Sequence, residues 1–153
     1  AKVFVTSGSD EKIKKAVALG ASGGANYGSA TWEEDLQKLA GGFDLIIDGA
    51  AGSGFSKLLD IASPGARIVT YGSTQGRIQN AEPARIFWKQ LSILGTTMGT
   101  EYEFAAMLRF VEQRNIKPVI DQVFSLADAE KAIRRTGDGE QFGKIVLLNS
   151  AGA

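Results

Sequence analysis

AKVFVTSGSDEKIKKAVALGA, residues Ala1 to Ala21, is the stretch that decides the fold. Val3, Phe4 and Val5 form a short apolar run with β-branched residues, the kind that is buried in a parallel sheet. Thr6, Ser7, Gly8, Ser9 and Asp10 then make a polar turn. Ile13, Ala16 and Val17 follow at helical spacing, and Gly20 falls where a left-handed cap closes a helix. Strand, polar turn and helix in that order are half of a βαβ unit.

The same grammar repeats along the chain. Apolar β-type runs at Lys2–Thr6, Phe43–Asp48, Ala66–Tyr71 and Leu91–Thr96 alternate with helical patterns, and Ser22–Tyr27 predicts one more brief strand. Strands alternating with helices give a parallel sheet flanked by helices, an α/β fold. Thr31-Trp32-Glu33-Glu34 and Thr100-Glu101-Tyr102-Glu103 both read as capping boxes. Phe55, Leu58, Leu59 and Ala62 mark a helix closed by Ser63-Pro64-Gly65. From Ile116 the pattern shifts: Val119–Phe124 reads as a strand, Asp128–Arg135 as a helix, Thr136–Gly139 as a Gly-rich loop and Lys144–Leu148 as a terminal strand. Residues 1–115 and 116–153 are therefore read as two structural units.

Composition narrows the chemistry. The 153 residues carry 17 Lys plus Arg against 17 Asp plus Glu, so no global field favours nucleic acid or an anionic membrane surface. Cys and His are absent, which removes disulfides, thiolate nucleophiles, imidazole bases and the usual zinc ligands. No apolar run approaches the roughly 20 residues that span a bilayer, and the expected location is the cytoplasm. The 19 glycines cluster just after apolar runs, where turns are tight or a ligand comes close to the backbone.

In an open parallel sheet, ligands bind at the carboxyl ends of the strands. After the first strand stand Ser7, Gly8, Ser9 and Lys12. A dinucleotide fold usually places an acid here for the ribose 2′-hydroxyl, whereas hydroxyls and a lysine suit a 2′-phosphate; the competing reading is a serine cap beside a solvated lysine. After Phe43–Asp48 comes Gly49-Ala50-Ala51-Gly52-Ser53-Gly54, a G-x-x-G-x-G pattern. It reads either as a pyrophosphate loop, with Arg77 meeting a 2′-phosphate, or as a tight βα turn.

Taken in order and spacing, AKVFVTSGSDEKIKKAVALGA, GFDLIIDGAAG, PGARIVTYGSTQG, IFWKQLSILGTTMGTEYEF, IKPVIDQVF and QFGKIVL resemble the C-terminal part of a medium-chain dehydrogenase/reductase, the superfamily of zinc-type alcohol dehydrogenases and quinone oxidoreductases. The resemblance implies a Rossmann-like domain without its first strand and Gly-rich turn. It also implies a segment from 116 onward that packs on a catalytic domain lying outside this sequence. Because the first strand is central in the order 3-2-1-4-5-6, a gap is expected in the sheet, closed by another segment or chain, with Lys144–Leu148 as the candidate.

The resemblance further implies NADP(H) in preference to NAD(H). Ser7, Ser9, Lys12 and Tyr27 fall where the 2′-phosphate and adenine ribose are held. Gly49, Ala50 and Ala51 fall on the adenosine side, Gly72 and Ser73 beside the nicotinamide ribose, Thr97 and Met98 near the carboxamide, and Lys144 toward the pyrophosphate. Hydride transfer to or from a carbonyl, alcohol or enone would belong to the whole enzyme; its catalytic residues are left unassigned, any zinc is expected outside this chain, and this chain alone is expected to be inactive. Leu91–Thr96 is implied as the edge of a homodimer. Two other classes compete: a non-catalytic module that senses NAD(P)H, and a methyltransferase, against which Ser7 stands in place of the acid such enzymes use.

Overall fold

The structure, a computed structural model, describes residues 1–149. It divides into two compact units, Ala1–Met98 and Gly99–Ala153. In the first, β1 (Phe4–Ser7), α1 (Asp10–Ala18), β2 (Gly23–Asn26), α2 (Trp32–Ala40), β3 (Phe43–Asp48), α3 (Phe55–Ile61), β4 (Ala62–Thr70), α4 (Pro83–Phe87) and β5 (Ser92–Gly95) alternate as the sequence predicts. Every strand pairing is parallel.

These strands form two separate sheets, β1-β2 and β3-β4-β5. Both share one apolar face. Ala25, Trp32, Leu36 and Ile61 make a buried cluster against which Phe4 of β1 and Phe43 and Ile46 of β3 pack. The Phe4 and Phe43 rings meet edge to face, with centroids 5.6 Å apart. A second cluster, Phe55, Leu59, Ala62, Ala66 and Ile68, seats α3 on β4. Leu59 and Ile68 are fully buried, so removing either side chain leaves a cavity costing about 2–5 kcal/mol.

Val3 O accepts from Ser22 N and Ser7 O from Tyr27 N, so alternate residues of β1 bond toward β2. The main-chain groups of Phe4 and Thr6 face the other way. Asp48 O accepts from Tyr71 N, which leaves Leu45 and Ile47 facing away from β4 in the same manner. No strand pairs with either edge among the described residues. The proposed closure of this gap by Lys144–Leu148 is corrected: that segment is β7, and it pairs in parallel with β6 (Ile120–Ser125).

Other local expectations shift for identifiable reasons. The helix beginning at Phe55 ends at Ile61, and Ser63-Pro64-Gly65 lies inside β4, at the irregular start of its pairing with β3. A side chain closes that helix: Lys89 Nζ donates to the carbonyls of Leu59, Asp60 and Ala62 at 2.8, 2.6 and 3.0 Å. The Thr31 capping box does not form, because Thr31 has φ −112° and ψ 19° in place of an extended backbone and makes no side-chain cap. Glu33, the residue before the box position Glu34, meets Lys57 at 2.7 Å; burial pushes its carboxyl up, yet the Lys57 hydrogen bond and charge hold it below its ordinary value.

In the second unit, α5 (Glu101–Gln113) starts with the expected box, both halves present at Thr100 and Glu103. The helix α6 runs Ala129–Gly137, so it absorbs the first residues of the expected Thr136–Gly139 loop. Arg135 clamps Asp121 at 2.7 Å and Glu140 at 3.0 Å, tying α6 to β6 and to the loop before β7 (Lys144–Leu148).

Candidate functional site

The candidate residues of the first unit follow the carboxyl ends of β1, β3, β4 and β5, with Tyr27 just after β2. The first turn follows β1. Ser7 Oγ accepts from Ser9 N at 3.2 Å, and Ser9, the N-cap of α1, accepts from Lys12 N at 3.4 Å. Tyr27 N donates to Ser7 O at 3.1 Å. The Tyr27 ring lies on Gly8: a Cβ added there would stand 3.0 Å from the phenol oxygen. Ser7, Ser9 and Tyr27 are thus brought together around one turn, and Lys12 stands in the first turn of the helix it opens. Hydroxyls, a helix N-terminus and a lysine form a donor set suited to a phosphate.

The second turn follows β3 and is closed differently. The Asp48 carboxylate accepts from Ala50 N and Ala51 N, each at 3.0 Å. This double cap holds Ala51 at φ 57° and ψ −129° while the residue is buried, a conformation that costs a non-glycine residue roughly 1–3 kcal/mol. The turn is then stitched to the one after β4. Gln75 N donates to Ala50 O at 2.9 Å, and Gly52 N to Gly76 O at 3.2 Å. At Gly72 the backbones touch: a Cβ there would lie 2.7 Å from Gly49 O. Gly49 is covered in turn by the Tyr71 ring, whose oxygen would stand 2.7 Å from an added Cβ.

Gly49, Ala50, Ala51, Gly72 and Ser73 therefore form one double turn. Its amides at 50 and 51 are already occupied by a carboxylate, so this surface offers an anion little and an uncharged sugar or ring more. That weighs against the Gly-rich pattern as a pyrophosphate loop. Thr97 and Met98 follow β5 on the exposed surface, Met98 at φ 47°. Lys144 opens β7 in the second unit, its N–H donating to Val119 O at 2.8 Å. Among the described residues no group of three or more His, Cys, Asp or Glu side chains is placed to hold a metal ion, and no helix is long and apolar enough to cross a membrane.

Four participants were not singled out from the sequence. Asp48 ends an apolar strand, where the capping role of an aspartate two residues before a small residue is a readable signal. Tyr71 and Gln75 act through tertiary closeness that local pattern does not carry. Asn26 donates from Nδ2 to Asp10 Oδ1 at 2.9 Å, a bond between residues 16 positions apart.

Parallel strands alternating with helices, and turns gathered at the strand ends, define this unit as a Rossmann-like nucleotide-binding fold. Comparison with known proteins carries the assignment to a family. The family described as zinc-binding dehydrogenase matches residues 1–113, and the chain belongs to it. A zinc-type alcohol dehydrogenase-like protein, YogA, of Leptosphaeria maculans is 37% identical over 95% of this chain and 43% of its own length. Quinone oxidoreductase of Homo sapiens is 31% identical over 96% of this chain and 47% of its own. The crystal structure of an NAD-dependent alcohol dehydrogenase superposes with a TM-score of 0.87 at 35% identity, covering 98% of this chain and 44% of that one. The chain thus spans less than half the length of these relatives.

Proposed function

We propose that this chain is the cofactor-holding part of an oxidoreductase that moves a hydride between a nicotinamide dinucleotide and a carbonyl, alcohol or enone, and that it prefers NADP(H). The observation that carries the reading is the turn after β1. Ser7 ends the strand where a dinucleotide fold that selects an unphosphorylated ribose places an acid. Ser9, Lys12 and Tyr27 surround that position with donors for a 2′-phosphate. The double turn at Gly49–Ala51 and Gly72–Ser73 supplies a flat backbone surface for the neutral part of the dinucleotide. Thr97 and Met98 would lie toward the carboxamide, and Lys144 toward the pyrophosphate.

When bound, the nicotinamide supplies the hydride chemistry; this chain's residues would bind and orient it. Groups that polarise the substrate are expected elsewhere in the whole protein, so this chain alone is expected to bind without turnover. The outer edge of β5, unpaired among the described residues and with Ile93 and Leu94 exposed, supports self-association through Leu91–Thr96. Fluorescence titration tests the cofactor reading. NADPH should bind at least tenfold more tightly than NADH, and Ser7→Asp should reverse that order. Equal affinity in the parent chain, or an order unchanged by Ser7→Asp, would overturn it. Turnover of a quinone or alcohol by the isolated chain would overturn its assignment as a binding part alone.

A further inference from the structure

We infer that Asn26 is a positioning residue for cofactor choice: it holds the Asp10 carboxylate away from the turn that reads the ribose end of the dinucleotide. The inference rests on the preference for NADP(H) proposed above. Asp10 is the first residue of α1, directly after the cap Ser9. A carboxylate there sits at the positive end of a helix and within the turn that would take a 2′-phosphate. Left to itself it would do the work of the missing strand-end acid, accepting from a ribose 2′-hydroxyl and repelling a phosphate.

The structure shows it restrained. Asp10 Oδ1 accepts from Asn26 Nδ2 at 2.9 Å, and Asn26 Oδ1 accepts from Gly28 N at 2.9 Å. The second bond fixes the orientation of the amide, because only the oxygen can take the Gly28 proton; the NH2 group is left to face Asp10. Asn26 is held in turn by its place at the end of β2, in register with Ser7 of β1. The carboxylate is drawn toward β2 and lines a shallow cleft with Ile13, Lys14, Gly24 and Asp35. One side chain thus anchors the loop that carries Tyr27 and fixes the Asp10 carboxylate on the β2 side of α1.

Asn26→Ala, Asp10→Asn and the double variant test this, with Kd for NADPH and for NADH measured at low salt. Asn26→Ala should weaken NADPH about fivefold, the effect of one unit charge brought to about 4 Å in water, and leave NADH unchanged or tighter. Asp10→Asn alone should leave the NADPH-to-NADH ratio within about twofold of the parent. The double variant should recover the parent ratio, although the lost Gly28 contact lowers its unfolding midpoint as much as in Asn26→Ala. An Asn26→Ala that weakens both cofactors equally, or a reduced ratio that persists in the double variant, overturns the inference while leaving the reading of the site intact. A parent chain that prefers NADH, or binds neither, sinks both.

Discussion

The turn after β1 and the turn after β3 occupy equivalent places in the fold, each joining the carboxyl end of a parallel strand to a helical segment. They are closed by opposite chemistry. Ser7 and Ser9 close the first with neutral hydroxyls, which both donate and accept and can exchange partners with an incoming phosphate. Asp48 closes the second with an ion that takes two amides outright and repels any anion that approaches. Position in the sheet makes both turns candidate sites; the capping residue decides which charge each one tolerates.

Breaking the second turn should have the larger effect. Asp48→Ala strips two amides of a charged partner and releases Ala51 from its positive φ, with an expected loss of about 2 kcal/mol in urea unfolding. NADPH affinity should fall with it, because the Gln75–Ala50 stitching depends on the same turn. Ser9→Ala breaks the first turn more gently. Losing one serine cap should cost about 1 kcal/mol, read as a drop in the unfolding midpoint, while NADPH weakens more than NADH.

The smallest effect sharpens the comparison at a third helix start. At α5 hydroxyl and carboxylate act together: Glu103 accepts from Thr100 N at 2.7 Å and from Thr100 Oγ1 at 2.9 Å. These bonds, the backbone one first, hold its carboxyl below the ordinary value. A group with a lowered folded pKa stabilises above its unfolded pKa, and that contribution disappears as pH falls through the folded value. Protection of the first-turn amides of α5, taken relative to their intrinsic exchange rates, should therefore fall at pH below about 4, and Glu103→Gln should flatten the acid response.

The same pair of Thr-x-x-Glu patterns marks the limit of what the sequence discloses. At Thr100 the box forms as the spacing predicts; at Thr31 it does not, since the Thr31 backbone is not extended, Ser29 engages its hydroxyl at 3.3 Å, and Glu34, the acid the box would use, faces Lys38 at 3.9 Å. Local pattern locates the helix in both cases, because the apolar stripes of α2 and α5 are set by residues within one element. It fails where a partner comes from far along the chain, as Lys57 does for Glu33 and Lys89 does for the end of α3. The candidate site divides likewise. Ser7, Ser9 and the glycines around 49 and 72 are legible because turns demand particular backbones, and Tyr27 through the family resemblance, whereas the Tyr71 ring that covers Gly49 is placed by tertiary closeness that local pattern does not carry.

The two sheets of the first unit are coupled by side chains and not by a ladder. Each sheet keeps its register through its own parallel ladder, while the Phe4–Phe43 ring contact and the buried cluster around Trp32 and Leu36 set how β1 lies against β3. The spacing of the two turns proposed to hold the dinucleotide is therefore written in side-chain packing.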